Sequence, residues 1–179
     1  SFLRSDILLL ARRNWSAIIA AAKIPVALIV LMLGLAGVMQ SVPARADRPD
    51  FDVIPLTLDR GDGSLIALEV EIASTPLQQQ YGLMFVTALA DNQGMLFVFP
   101  KAAMRSFWMK NTLIPLDMLF FDEAGVLVNS IDDVPPRTLS ARRSIAPARY
   151  VLELNGGSMA RFGINGVARL LLPDSLRSN

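Results

Sequence analysis

From Val53 to Leu172 the apolar residues come in short runs, each stopped by Gly, Pro, Asn or Asp. That punctuation suits short strands joined by tight turns. Leu65–Ile72 shows it best: Ile66, Leu68, Val70 and Ile72 face one way and Glu69 and Glu71 the other, as in a half-buried strand. Asp59-Arg60-Gly61-Asp62-Gly63-Ser64 is turn chemistry that joins it to Val53–Leu58 as a hairpin, with Pro55 placing that first strand at an edge. Ser74 or Thr75, Pro76 and Gly82 frame one short helix. Met95–Phe99, Met104–Lys110, Leu116–Phe121, Val126–Ile131, Tyr150–Leu154 and Val167–Leu172 then read as strands, the first of them ending at Pro100. Several are apolar on both faces, which suits strands enclosed between layers. Asp132–Pro147 reads as a long loop and Ser158–Phe162 as one helical turn. Seven or eight short strands predict a mainly β, single-domain, jelly-roll-like β-sandwich or partly open barrel over residues 53–172, with one or two short helices. Residues 173–179 form a C-terminal tail.

The part before this domain has a different composition. Arg12, Arg13 and Lys23 precede a 16-residue apolar run, Ile24–Met39, followed by a polar stretch and Ala44-Arg45-Ala46. This is the layout of a secretory signal peptide over residues 1–46, with a linker at 47–52. The alternative is an uncleaved membrane anchor, for which the run is short of the roughly 20 residues that span a bilayer. The expected localisation is secretion across the inner membrane into the periplasm. Membrane contact is expected only through the leader, if it is uncleaved.

Composition removes several function classes. The chain has no Cys and no His, so disulfides, thiol nucleophiles, His-based triads and Cys/His zinc sites are excluded. Of 17 basic and 16 acidic residues, five basic and one acidic fall in residues 1–46, leaving 12 against 15, a net charge of −3. A net-negative domain lacks the footprint of a nucleic-acid binder, and Arg137, Arg142, Arg143 and Arg149 read as a solvated loop. No phosphate loop is present, because Gly61-Asp62-Gly63 lacks the Lys and the helix such a site needs. Asp59 and Asp62 sit in a loop too short for an EF-hand. No metal site and no cofactor is expected.

Ordered blocks along the domain carry a family resemblance. Gly82-Leu83-Met84, Gly94–Phe99, Phe107–Thr112, Ile114–Asp117, Tyr150–Gly157 and Gly163-Ile164 together resemble the domain-of-unknown-function 192 family, over about residues 53–172. The resemblance implies one compact, mainly β domain of jelly-roll-like type, often secreted in bacteria, and implies no activity. Members commonly carry an Arg before and another after the Gly-Leu-Met block, where this chain has Gln78–Gln80 and Val86.

The unusual polar residues cluster at Phe107–Asp117. Trp108 is the one Trp after residue 46, Asn111-Thr112 follows it, and Asp117 lies among Leu116, Met118, Leu119, Phe120 and Phe121. An aromatic platform beside convergent polar groups makes Trp108, Asn111, Thr112 and Asp117 the candidate ligand-binding set. The competing reading puts Trp108 in the core, Asn111-Thr112 in a turn and Asp117 on backbone N–H groups. Asp117 and Glu153, an acid between Leu152 and Leu154, are the candidate catalytic pair for an envelope-polysaccharide hydrolase, although strand parity turns Glu153 towards solvent. Lys110, Arg105 or Arg161 are the expected ion partners of either acid. Met84, Met95, Met104, Met109, Met118 and Met159 suggest a further alternative, thioether binding of copper. The leading expectation is a periplasmic binding or accessory module for a small molecule or envelope component, with enzymatic activity left open.

Overall fold

Nine strands and three short helices make up the domain in a computed structural model, which describes residues 48–177. The leader at 1–46 lies outside the described residues. In chain order the elements are β1 (Val53–Asp59), β2 (Leu65–Ala73), α1 (Pro76–Tyr81), β3 (Gln93–Ala103), β4 (Ser106–Phe107) and β5 (Leu116–Phe121). They continue with β6 (Leu127–Val134), β7 (Arg142–Arg143), β8 (Ala148–Asn155), α2 (Ser158–Phe162), β9 (Arg169–Leu171) and α3 (Asp174–Arg177). Seven strands form one sheet in the order β6-β5-β8-β3-β2-β1-β9, while β4 and β7 form a separate ribbon. A bridge between Val126 and Arg169 brings the β5–β6 turn to β9, so the two edges of the sheet approach each other. The result is a curled sheet, a partly open barrel, as the strand pattern predicts.

The hairpin of β1 and β2 forms in the register Val53↔Glu71 to Asp59↔Leu65. Its turn is held by Asp59, whose Oδ1 accepts from the N–H groups of Gly61 and Gly63 at 2.8 and 3.1 Å. Asp62 is clasped by the Arg60 guanidinium, and that hydrogen bond holds its carboxyl well below the usual carboxylate range. β2 and β3 are parallel, a pairing that needs a crossover, and α1 with the segment after it supplies one. Thr75 caps α1 in a capping box with Gln78, Pro76 opens it, and Gly82 closes it at φ 52°.

Several boundaries differ from the sequence reading. β3 runs through Pro100 to Ala103, because Pro100 lies where the β3–β8 register shifts, between Val98 and Ala103, and no ladder N–H is required there. The predicted strand Met104–Lys110 is regular only at Ser106–Phe107, yet its alternation survives: Phe107 and Met109 turn inward, Ser106, Trp108 and Lys110 outward. The predicted loop Asp132–Pro147 contains the end of β6 and the whole of β7. The tail holds α3, where buried Leu176 packs on the core and its carbonyl oxygen accepts from the Tyr150 hydroxyl at 3.2 Å. Arg149 is buried, with Nη1 3.2 Å from Glu123 and Nε donating to the Phe99 carbonyl, so it is not part of a solvated basic loop.

The sheet is covered on both faces. One core contains Leu68, Val70, Leu96, Leu119, Phe121, Leu152 and Leu154, against which Met159, Phe162 and Leu176 pack from α2 and α3. A second core lies across the sheet: Met95, Phe97, Met118, Phe120 and Val151 are roofed by Leu83, Phe107 and Met109 from the connecting segments. Phe107 meets Phe97 edge-on at 4.9 Å between centroids, and Phe120 at 6.0 Å. Such aromatic pairs add about 1 kcal/mol each beyond area burial. Double coverage is why every residue of β5, and all of β8 but its last, is buried.

Candidate functional site

β5 and β8 are adjacent, in the register Asp117↔Leu154 and Met118↔Glu153. Strand alternation therefore sends the two acids to opposite faces. Asp117 points with Leu119 and Phe121 towards the first core and is fully buried. Its Oδ1 accepts from the N–H groups of Asp133 at 2.7 Å and Gly157 at 3.0 Å, and its Oδ2 from that of Met159 at 2.7 Å. Gly157 precedes α2 and has no side chain to cap it, so Asp117 supplies the cap from another strand. This is the backbone-bracing alternative. It argues against Asp117 as a ligand-binding or catalytic residue, because its oxygens are committed to backbone N–H groups and the residue is fully buried. The two-carboxylate hydrolase falls with it.

Glu153 takes the other face. It is flanked across the ladder by Met95 on β3 and Met118 on β5, both fully buried, and is itself only 4% exposed. The parity reading had turned it to solvent, but the segments roofing the second core cover that face as well. The Glu153 carboxyl has no hydrogen bond or ion pair among the described residues. No side-chain oxygen in the described residues is both enclosed and unpaired, so the carboxyl must reach open space. That space is a cavity of about 350 Å³, lined also by Gln80, Tyr81, Arg105, Trp108, Lys110 and Thr112. Its size falls within the ~300–1,000 Å³ common for small-molecule sites. Desolvation pushes the Glu153 carboxyl up to about 8. At neutral pH it stands in the pocket as a neutral acid, able to donate and to accept.

Two of the four predicted binding residues are at this pocket. Trp108 is 51% exposed at its edge, not packed in the core, because alternation gives the inward positions to Phe107 and Met109. Thr112 is buried, its main chain tied to Met109 and Arg137, and its hydroxyl has no hydrogen-bond partner among the described residues. Asn111 is not at this pocket. It adopts φ 59° in a tight turn and lines a neighbouring depression with Phe85, Leu113, Arg137 and Leu139. Phe85 and Arg137 also have positive φ, and hydrogen bonds hold the three loops together: Phe85 N–H to the Asn111 carbonyl, Arg137 N–H to that of Thr112. Left-handed backbone costs roughly 1–2 kcal/mol at such non-glycine positions, so this crossing is held by its neighbours.

The expected ion partners do not reach either acid. Arg161 pairs with Asp91, and Arg105 donates to the carbonyl oxygens of Ala148 and Lys101. The methionines divide as core filler and pocket edge: Met95, Met109 and Met118 are buried in the second core, Met84 and Met104 line the pocket, and Met159 packs across the sheet. Gln80, Tyr81, Arg105 and Lys110 were missed as pocket residues. The alternation at Ser106–Lys110 pointed to one of them, by placing Lys110 on the same outward face as Trp108.

A known family spans these same elements. The DUF192 family, described as "Uncharacterized ACR", matches residues 57–171. The chain belongs to the DUF192 family. Two solved structures are similar to the chain. One is a Sinorhizobium meliloti 1021 protein provisionally described as a transcription regulator: 35% identity, TM-score 0.67, covering 68% of this chain and 95% of that one. The other is a protein of unknown function from Novosphingobium aromaticivorans DSM 12444: 34% identity, TM-score 0.65, covering 67% of this chain and 85% of that one. No curated protein matches the chain. DUF192 membership thus fixes the fold and leaves the chemistry to the pocket.

Proposed function

We propose that this DUF192 domain is a binding or accessory module for a small molecule, exported to the periplasm by its N-terminal leader, with the ligand seated in the pocket above Glu153. One observation carries the reading: a buried carboxyl with no partner of its own opens into a cavity edged by an exposed indole. A ligand oxygen that meets this carboxyl in the cavity gains a hydrogen bond worth about 0.5–1.5 kcal/mol. An envelope component or a free small molecule fits this arrangement equally.

The test is a ligand-panel titration of the full chain carrying Trp15→Phe, so that emission reports Trp108 alone. A saturable emission change is the expected result. Calorimetry then repeats the titration with Glu153→Ala and with Trp108→Ala, and both should bind at least about tenfold more weakly. Unchanged affinity in both variants would place the ligand elsewhere and overturn the reading.

A further inference from the structure

The charges around the pocket specify a ligand class. Arg105 and Lys110 both line it. Four of the other ten cations of the described residues are in ion pairs: Arg48 with Glu71, Arg60 with Asp62, Arg149 with Glu123 and Arg161 with Asp91. Neither Arg105 nor Lys110 has an acid partner among the described residues. Residues 47–179 are net negative, so two unpaired cations at one cavity run against the overall balance.

An aromatic pocket with a buried acid would ordinarily suit a cationic ligand. Here two of the aromatic faces, those of Phe99 and Trp108, are already occupied. The Arg105 guanidinium lies 3.7 Å above the Phe99 ring, and the Lys110 ammonium 5.4 Å from the Trp108 ring centroid. Arg105 is further fixed by donating Nε to the Ala148 carbonyl oxygen at 2.9 Å and Nη2 to that of Lys101, which leaves Nη1 without an acceptor among the described residues. Over these two rings the protein already holds its own positive charge.

We propose that the pocket takes an organic anion whose negative group is held by Arg105 and Lys110 and whose inner end presents an uncharged acceptor oxygen to Glu153. This rests on the pocket being the ligand site. Glu153 keeps its proton up to about pH 8, so it donates to that oxygen and adds no charge against the anion. Thr112 offers a second free hydroxyl in the same cavity. The other titratable or charged groups at the pocket are Tyr81, Arg105 and Lys110. β3 and β5 face Glu153 with Met95 and Met118, and β8 itself adds Arg149, paired with Glu123. Above pH 8 Glu153 ionises, the donor is lost, and a negative charge enters beside the anion. Affinity therefore falls as pH rises.

Calorimetry on the full-length protein tests this with glucuronate, mandelate and glycerol 3-phosphate, three anions of different origin that each carry an uncharged oxygen. Glucose and glucosamine serve as neutral and cationic counterparts. At pH 7 at least one anion is expected to bind about tenfold more tightly than either counterpart, and Lys110→Gln, a change at an exposed side chain, should weaken it about tenfold. Between pH 7 and pH 9.5 the wild type should lose affinity, whereas Glu153→Gln, which keeps a donor and never ionises, should respond far less. Preferred binding of glucose or glucosamine, or an equally steep pH response in Glu153→Gln, overturns the anion assignment and leaves the pocket as a ligand site. If no probe binds, the anion assignment falls, and the Trp108 emission titration decides the pocket reading separately.

Discussion

Asp117 and Glu153 stand one position out of register on adjacent strands, and their side chains leave the sheet in opposite directions. Asp117 opposes Leu154 and Glu153 opposes Met118. The single-residue offset decides their fates. One acid meets three backbone amides, and the other meets two thioethers and a cavity. Two buried carboxyls in one sheet thus have different surroundings: one braces the backbone and the other lines a cavity.

The buried Glu153 makes stability depend on pH in a stated direction. A free glutamate ionises near 4.5, and this one near 8 in the folded protein. Below pH 4.5 both states hold the proton, so the residue imposes no penalty. As pH rises from 4.5 to about 8 the unfolded chain releases the proton and the folded one keeps it, so stability falls, and above 8 the penalty is constant. At pH 7 it is about 3 kcal/mol. Glu153→Gln should therefore match the wild type near pH 4.5 and exceed it by a few kcal/mol at pH 8. Urea unfolding at the two pH values checks this; an equal difference at both would refute the buried, protonated acid.

Asp117→Ala should destabilise the fold by about 3 kcal/mol or more, since it orphans the N–H groups of Asp133, Gly157 and Met159 together. Asp117→Asn should also be costly, by roughly 2 kcal/mol, because its NH₂ would face a donor where an acceptor is needed. Chemical denaturation gives both values. A loss below about 0.5 kcal/mol in either variant would show that the carboxylate is not the brace described.

Trp108→Ala should change stability by less than about 1 kcal/mol, as expected for a side chain half in water, whereas a core Trp would cost roughly 3–5 kcal/mol. Thermal melts distinguish the two. A drop of core size would mean that the indole is packed and not available at the pocket.

Gly94 sits against β8 with no room for a side chain. A Cβ there would lie 2.5 Å from the Glu153 carbonyl oxygen and 2.7 Å from Leu154 Cδ2. Gly94→Ala should push β3 from β8 and cost about 1–3 kcal/mol. The measurement is the urea midpoint, and a shift within error would show that the two strands separate freely.

Much of the fold was legible because its signals are local. The alternation of Ile66, Leu68, Val70 and Ile72, the glycine-rich turn before them, and the Thr75-Pro76…Gly82 frame of α1 each act within a few residues, and each is where it was expected. Strand parity also placed Trp108 and Lys110 on one outward face. It did not place Asn111, because a left-handed residue ends the alternation at that point.

What the sequence by itself determined was most of the strands, their turns and the membership of the family, since periodicity and turn chemistry are written in neighbouring residues. Only the tertiary structure decided which acid does what. Parity along β8 says that Glu153 and Leu154 face apart, but which face is roofed depends on connections far along the chain, Leu83 and Phe107 among them. Those connections close the second face over Glu153, and desolvation there turns an ordinary surface acid into a proton-bearing group at a pocket.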